Sequence, residues 1–250
     1  MSTRVSNRAS RNNAVTDDVL ASALGGFKLD SGRSYTGQVH DVLQMAIVRG
    51  KLLPKTALSE ATISSLLGVS RTPVREALAQ LADEQLVLIY RQVGTFVAPV
   101  RLSMLEEGRF VRSTLECANH VQLVQNITSE QLTEFGQIIL RQREAVSKGE
   151  INQFSELDEL MHKRLFEFAG REHVWTMLES FKRQFDRVRW LLLSVSGHAE
   201  RTLQEHELML AQMAARDVAG LAVTVASHIN HISQDLTALR EQAPAAYFVD

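Results

Sequence analysis

Four side chains in the second half of the sequence have the types and spacing of a divalent-metal centre. Asp158 and His162 stand four apart, so on a helix both leave the same face one turn apart. His206 and His228 lie on later helical segments, and helices of a bundle can aim such groups at one interior point. Three imidazoles and one carboxylate suit zinc, with nickel or manganese as alternatives. Each histidine alone also has a plainer reading, a buried ring hydrogen-bonded to a neighbour. His231, one turn past His228, is a rival for the fourth position. His40, His120, His173 and His198 have no partner at matching spacing.

A second constellation lies in the first half. Ser70, Arg71, Thr72 and Arg75 follow Gly68, which sits where a turn wants positive φ. On a helix starting there, Arg71, Thr72 and Arg75 share the exposed first turn. An arginine fork matches O6 and N7 of guanine, while hydroxyls and free helix N–H groups hold phosphates. Taken singly, these arginines are ordinary solvated charges.

The elements that must carry these residues can be read from periodicity. Val39, Val42, Leu43, Ala46 and Ile47 predict a helix closed by Gly50. Ser59 opens a second helix as N-cap, with Ile63, Leu66 and Leu67 as its apolar stripe. A third helix follows, with Thr72 as N-cap and Pro73 at its first position. Residues 86–91 and 95–98 predict two strands joined around Gly94. From Ser103 strand signals vanish, and helices are expected over 103–125, 129–147, 151–169, 172–195, 199–215 and 217–240. Thr128 with Gln131 forms a capping box, and Asp217 caps the last helix. The fold class is therefore mainly α: a winged helix-turn-helix of three helices and a β-hairpin, then an all-α antiparallel bundle. The expected domains are a disordered arm (1–33), the winged unit (34–100), the helical unit (103–240) and a tail (241–250). Arg4, Arg8 and Arg11 of the arm could brush a phosphate backbone, although a passive tail is the plainer reading.

Charge divides along the same boundary. Residues 1–100 hold 11 Lys and Arg against 8 Asp and Glu, and the remainder holds 16 against 21. A basic first part and acidic second part suit a nucleic-acid reader joined to something else. No apolar run reaches the roughly 18–20 residues of a membrane span, and residues 1–13 lack a secretory apolar core. The lone Cys117 cannot form an internal disulfide, which fits the cytoplasm.

The run Gly68-Val69-Ser70-Arg71-Thr72-Pro73-Val74-Arg75-Glu76-Ala77-Leu78, with Leu81, Leu86-Val87 and Gly94-Thr95-Phe96-Val97, resembles the GntR family of bacterial regulators. The resemblance implies operator contacts at Ser70, Arg71, Thr72 and Arg75, and a wing glycine, Gly94, near the minor groove. Three positions depart from the family pattern: Ala61 where an arginine is frequent, Val93 where a basic residue is common, and Lys55 where glycine is usual. The later half resembles the FCD ligand-binding domain of the FadR-type branch. It carries Val111-Arg112 with Leu115-Glu116, Leu157-Asp158 with His162, Glu205-His206-Glu207, and Asp217 leading to His228. The resemblance implies metal ligation by Asp158, His162, His206 and His228. It also implies that Arg112 supplies a fork to a small carboxylate effector, where the alternative is an ion pair with Glu116. A homodimer on a palindromic operator is implied as well, repressing until a ligand shifts its pose. The competing reading, a metal-dependent enzyme acting on a small carboxylate, finds no nucleophile motif. Glu205 and Glu207 beside His206 project about 100° away on a helix, so neither is well placed as a base.

Overall fold

The computed structural model describes residues 17–193, 195, 197–242 and 247–250. The chain forms two compact units, one of residues 1–101 with 244–250 and one of residues 102–243.

In the first unit, residues 17–24 are helical (α1), followed by α2 (Tyr35–Val48), α3 (Glu60–Leu67) and α4 (Arg71–Asp83). The disordered arm expected over 1–33 is therefore wrong for α1. Leu20 and Leu24 are wholly buried among Leu43, Ile63 and Leu78. Their i, i+4 spacing forms a small apolar stripe, and burying each leucine stabilises by about 1.5–3 kcal/mol. Residues 1–16 lie outside the described residues.

Ser59 caps α3 by accepting from the Thr62 N–H, and Gly68 ends it at φ 67° in the left-handed region. A side chain there would be strained, so glycine lets the chain turn sharply into α4. That helix starts at Arg71 with Ser70 as N-cap, two residues before the cap expected at Thr72. Pro73 is tolerated inside the first turn because N–H groups there have no intrahelical acceptor anyway. The buried face of α4 is Val74, Ala77, Leu78 and Leu81.

β1 (Val87–Tyr90) and β2 (Gly94–Val97) pair antiparallel, with Val87 opposite Val97 and Tyr90 opposite Gly94. Residues 55–58 join their edge: the Leu58 N–H donates to Thr95 O at 2.7 Å and the Lys55 N–H to Val97 O at 2.9 Å. Lys55 occupies positive φ, 69°, so the backbone bend favoured by glycine persists with a lysine in it. The sequence's last residues are not a plain tail. β3 (Val100–Arg101) pairs in parallel with β4 (Phe248–Val249), a contact between residues nearly 150 apart in sequence.

The second unit is a bundle of α5 (Leu102–Asn126), α6 (Ser129–Ser147), α7 (Ile151–Phe168), α8 (Glu172–Leu193), α9 (His198–Ala215) and α10 (Val218–Gln242). Thr128 and Gln131 form the reciprocal capping box, and Asp217 Oδ1 accepts from the Gly220 N–H at 2.9 Å. Helix α5 packs on α8 and α10, α6 on α7 and α9, and α9 on α10. On α7 the buried positions are Phe154, Leu157, Asp158, Met161, His162, Leu165 and Phe166. Two ionisable residues thus sit inside an apolar stripe, and the periodicity that buries the leucines carries them inward too.

Candidate functional sites

The first candidate site is the exposed start of α4. Ser70, Arg71, Thr72, Arg75 and Gly94 are all solvent-exposed. Ser70 makes no side-chain cap hydrogen bond, so its hydroxyl is available at a helix N-terminus. The Arg75 guanidinium spans Glu60 at the start of α3, Nη2 to Oε2 at 2.9 Å and Nε to Oε1 at 3.2 Å, while remaining largely in solvent. A pair that exposed is weak and can exchange Glu60 for another acceptor. Glu60 thus aims Arg75 without committing it. At the wing, Arg91-Gln92-Val93 form the turn between β1 and β2, with Val93 strongly exposed.

The second candidate site lies inside the helical bundle. Asp158, His162, His206 and His228 each offer one ligand atom, and these four atoms lie within 4.8 Å of one another. All four of the expected residues are brought together. Asp158 Oδ1 is 3.5 Å from His206 Nε2 and 3.8 Å from His162 Nε2, and none of these three buried atoms has a hydrogen-bond partner. Asp158 Oδ2 faces Arg189 Nη1 at 2.8 Å.

The three rings are held from behind. His162 Nδ1 faces Glu116 Oε2 at 2.7 Å, His206 Nδ1 meets Gln142 Oε1 at 2.8 Å, and His228 Nδ1 meets Glu205 Oε2 at 2.7 Å. At His206 and His228 an oxygen that only accepts requires the proton on Nδ1, which in the neutral ring leaves the Nε2 lone pair free. Such outer acceptors accompany metal-bound histidines and raise their basicity. Unpaired buried polar atoms are costly, so three of them converging on one point beside His228 need a partner, and a divalent cation satisfies them all.

The electrostatics agree with that reading. Burial acts to raise the Asp158 carboxyl, but Arg189 and the three imidazoles outweigh it and hold the group well below the usual carboxylate range. Burial, reinforced by His228, pushes His206 well below the ordinary histidine value. Burial likewise lowers His228, against the pull of Glu205. Neutral His206 and His228 beside an ionised Asp158 are the protonation states that ligation needs.

Glu116, Gln142 and Glu205 were missed as part of this centre. In the sequence Glu116 reads as a partner for Arg112 and Glu205 as a poorly placed base. Gln142 had a usable signal, since it interrupts the buried stripe of Phe135, Ile138, Ile139 and Ala145. Arg112 is buried and its Nε donates to Glu116 Oε1 at 2.6 Å, so the alternative ion pair does form. It uses one edge of the fork only: Nη2 has no partner, and the residue lines a cavity of about 440 Å³, counted to its open mouth. Arg189, Arg201, His228 and His231 line the same cavity. Arg187 does not line it, and donates instead to Gln184. His231, the rival ligand, is taken by Glu205 Oε1 at 2.6 Å. Other histidines have partners that spacing did not reveal: Glu84 for His40, Asp235 for His198 and the Glu116 carbonyl for His120.

A helix-turn-helix with a β-hairpin wing, joined to a helical unit with a buried polar centre, defines a DNA-binding regulator. Residues 35–97 match the bacterial regulatory proteins of the gntR family, and residues 108–231 match the FCD domain. The HTH-type transcriptional repressor RspR of Escherichia coli K12 is 30% identical over 205 residues, covering 82% of this chain and 90% of that protein. A gluconate operon transcriptional repressor of Bacillus subtilis is 30% identical over 182 residues, covering 70% and 74%. Among solved structures, Escherichia coli McbR/YncC shares the fold with a TM-score of 0.70 at 24% identity, over 84% of this chain and 99% of that one. The chain belongs to the GntR family and is a DNA-binding transcriptional regulator with an FCD domain. Its relatives and fold neighbours are transcriptional regulators, not enzymes. No helix among the described residues is long and apolar enough to cross a membrane.

Proposed function

We propose that the protein is a repressor whose grip on operator DNA is set by a small carboxylate bound beside a divalent metal ion. Asp158, His162, His206 and His228 would hold the ion, zinc by the nature of the donors, with nickel or manganese as the substitutes to test. The observation that carries this reading is the convergence of four ligand atoms within 4.8 Å, from three buried residues and the half-buried His228, three of them on rings backed by an oxygen. Such an ion supplies positive charge and open coordination positions. Arg112 lines the adjoining cavity and its Nη2 is without a hydrogen-bond partner, so its fork would take an oxygen of a carboxylate bound there. The name of the gluconate operon repressors is consistent with ligands of this kind, since gluconate is a hydroxy acid.

On the DNA side, Arg71 and Arg75 would read base edges in the major groove. Ser70 and Thr72 would hold phosphates, and Gly94 would let the wing approach the minor groove. Two copies on a palindromic operator fit this docking mode. The ligand must bind the low-affinity state more tightly than the DNA-bound state, or it shifts nothing. Selecting an operator from a randomised duplex library and measuring its affinity tests the DNA arm of the proposal. Arg75→Ala should weaken the selected duplex by roughly ten- to a hundredfold and relax its base preference. Undiminished affinity and preference in Arg75→Ala would refute the reading.

A further inference from the structure

We infer that Arg189 is a positioning residue of the polar centre. It ties up one oxygen of Asp158, so that the carboxylate gives a metal ion only the other, and a coordination place stays open for an incoming carboxylate. This rests on the metal centre proposed above and deepens it.

The two oxygens of Asp158 have different surroundings. Oδ1 stands 3.5 Å from His206 Nε2 and 3.8 Å from His162 Nε2, where the ligand atoms converge. Oδ2 instead faces Arg189 Nη1 at 2.8 Å. A carboxylate can bind a cation through one oxygen or through both. With Arg189 in place, three imidazoles and one oxygen make four protein donors. Oδ2 as a fifth donor would fill the place by which a four-donor ion expands to take an outside ligand.

Arg189 is itself held from its other edge, which keeps it from withdrawing when an ion arrives. Its Nη2 donates to Glu159 Oε2 at 3.1 Å and stands 3.4 Å from Asp186 Oδ1. Lys182 Nζ donates to Glu159 Oε2 at 2.8 Å and to Asp186 Oδ2 at 2.6 Å, so both carboxylates are fixed in turn. Lys182, Asp186 and Arg189 are four and three residues apart and share one face of α8. Asp158 and Glu159 are neighbours on α7, and the planar fork of Arg189 spans the two, where an ammonium would serve one at a time. Arg189 also lines the cavity beside Arg112 and His228, so the residue that preserves the open place borders the space a ligand would enter.

The test loads the full chain with cobalt(II), whose visible absorption weakens as its coordination number rises, and titrates it with sodium acetate. The wild type should take up cobalt and change its spectrum as acetate binds. Arg189→Met should show the weaker spectrum before any acetate is added, and acetate should then change it little. Its zinc affinity should hold or rise, because a positive charge has left the side of the ligand carboxylate. A fall of about tenfold or more is what loss of an ordinary outer support gives, and would overturn the inference. An acetate-free cobalt spectrum identical to that of the wild type would overturn it too, since Arg189 would then at most touch the acetate. Should Arg189→Met fail to fold, Arg189→Lys keeps the charge but makes one contact where the fork makes two, so the same spectral change is expected in smaller part, and none at all overturns the inference. A wild type that takes up no cobalt would instead refute the metal centre itself.

Discussion

Glu205 offers a sharp test of how the polar centre is built. Its Oε2 accepts from His228 Nδ1 at 2.7 Å, and its Oε1 stands 2.6 Å from His231 Nδ1. In Glu205→Gln one oxygen becomes an amide NH2, which cannot accept from either ring. If the NH2 faces His228, the proton of that ring moves to Nε2 and the lone pair needed for ligation is lost. If it faces His231, His228 keeps only a neutral and weaker acceptor. Loss of such an outer partner lowers metal affinity by about 10- to 100-fold, equivalent to roughly 1.4–2.7 kcal/mol. The assay is competition for zinc against a chromophoric chelator at neutral pH, with circular dichroism of the metal-free protein to show an intact fold. Glu207→Gln is the internal control, since Glu207 flanks His206 in sequence but pairs with Arg143 on the surface at 2.8 Å. Affinity in Glu205→Gln within twofold of wild type, or an equal fall in Glu207→Gln, would refute the reasoning.

Two further predictions concern the winged unit. The hydrogen bond and charge of Glu84 raise the His40 imidazole from the ordinary histidine value, against its partial burial. Its contribution is therefore fully present below about pH 6.5 and fades as pH rises through the raised value. His40→Gln should destabilise the unit clearly at pH 6 and hardly at pH 9, as read by hydrogen exchange of the α2 and α4 amides; a pH-independent difference would exclude the ion pair as the cause. Leu20→Ala removes a wholly buried side chain and should cost about 2–5 kcal/mol in the same exchange experiment, and unchanged protection would mean that α1 is not part of the core.

How much of this was legible in sequence depended on whether the signal was local. The six bundle helices were readable because capping and apolar spacing are properties of neighbouring residues, as at Thr128 and along α7. The start of α4 was misplaced by two residues because Ser70 and Thr72 are both good caps and Pro73 is acceptable anywhere in the first turn. α1 was overlooked because its stripe is only Leu20, Ala23 and Leu24 amid polar residues, and its stability comes from a core assembled by later segments. The pairing of β3 with β4 has no local signature at all, being two residues long and far apart in sequence. At the polar centre, the four inner residues were identified from type, spacing and family resemblance together. Their supports were not, because Gln142 reaches His206 across 64 residues and Glu116 reaches His162 across separate helices.

The most direct measurement of the central claim is elemental analysis of the protein as purified, beside the variant carrying His206→Ala and His228→Ala. The account predicts about one divalent ion per chain in the wild type and next to none in the variant, with ligand-free operator binding largely retained. A variant that remains fully metallated would contradict the four-residue centre.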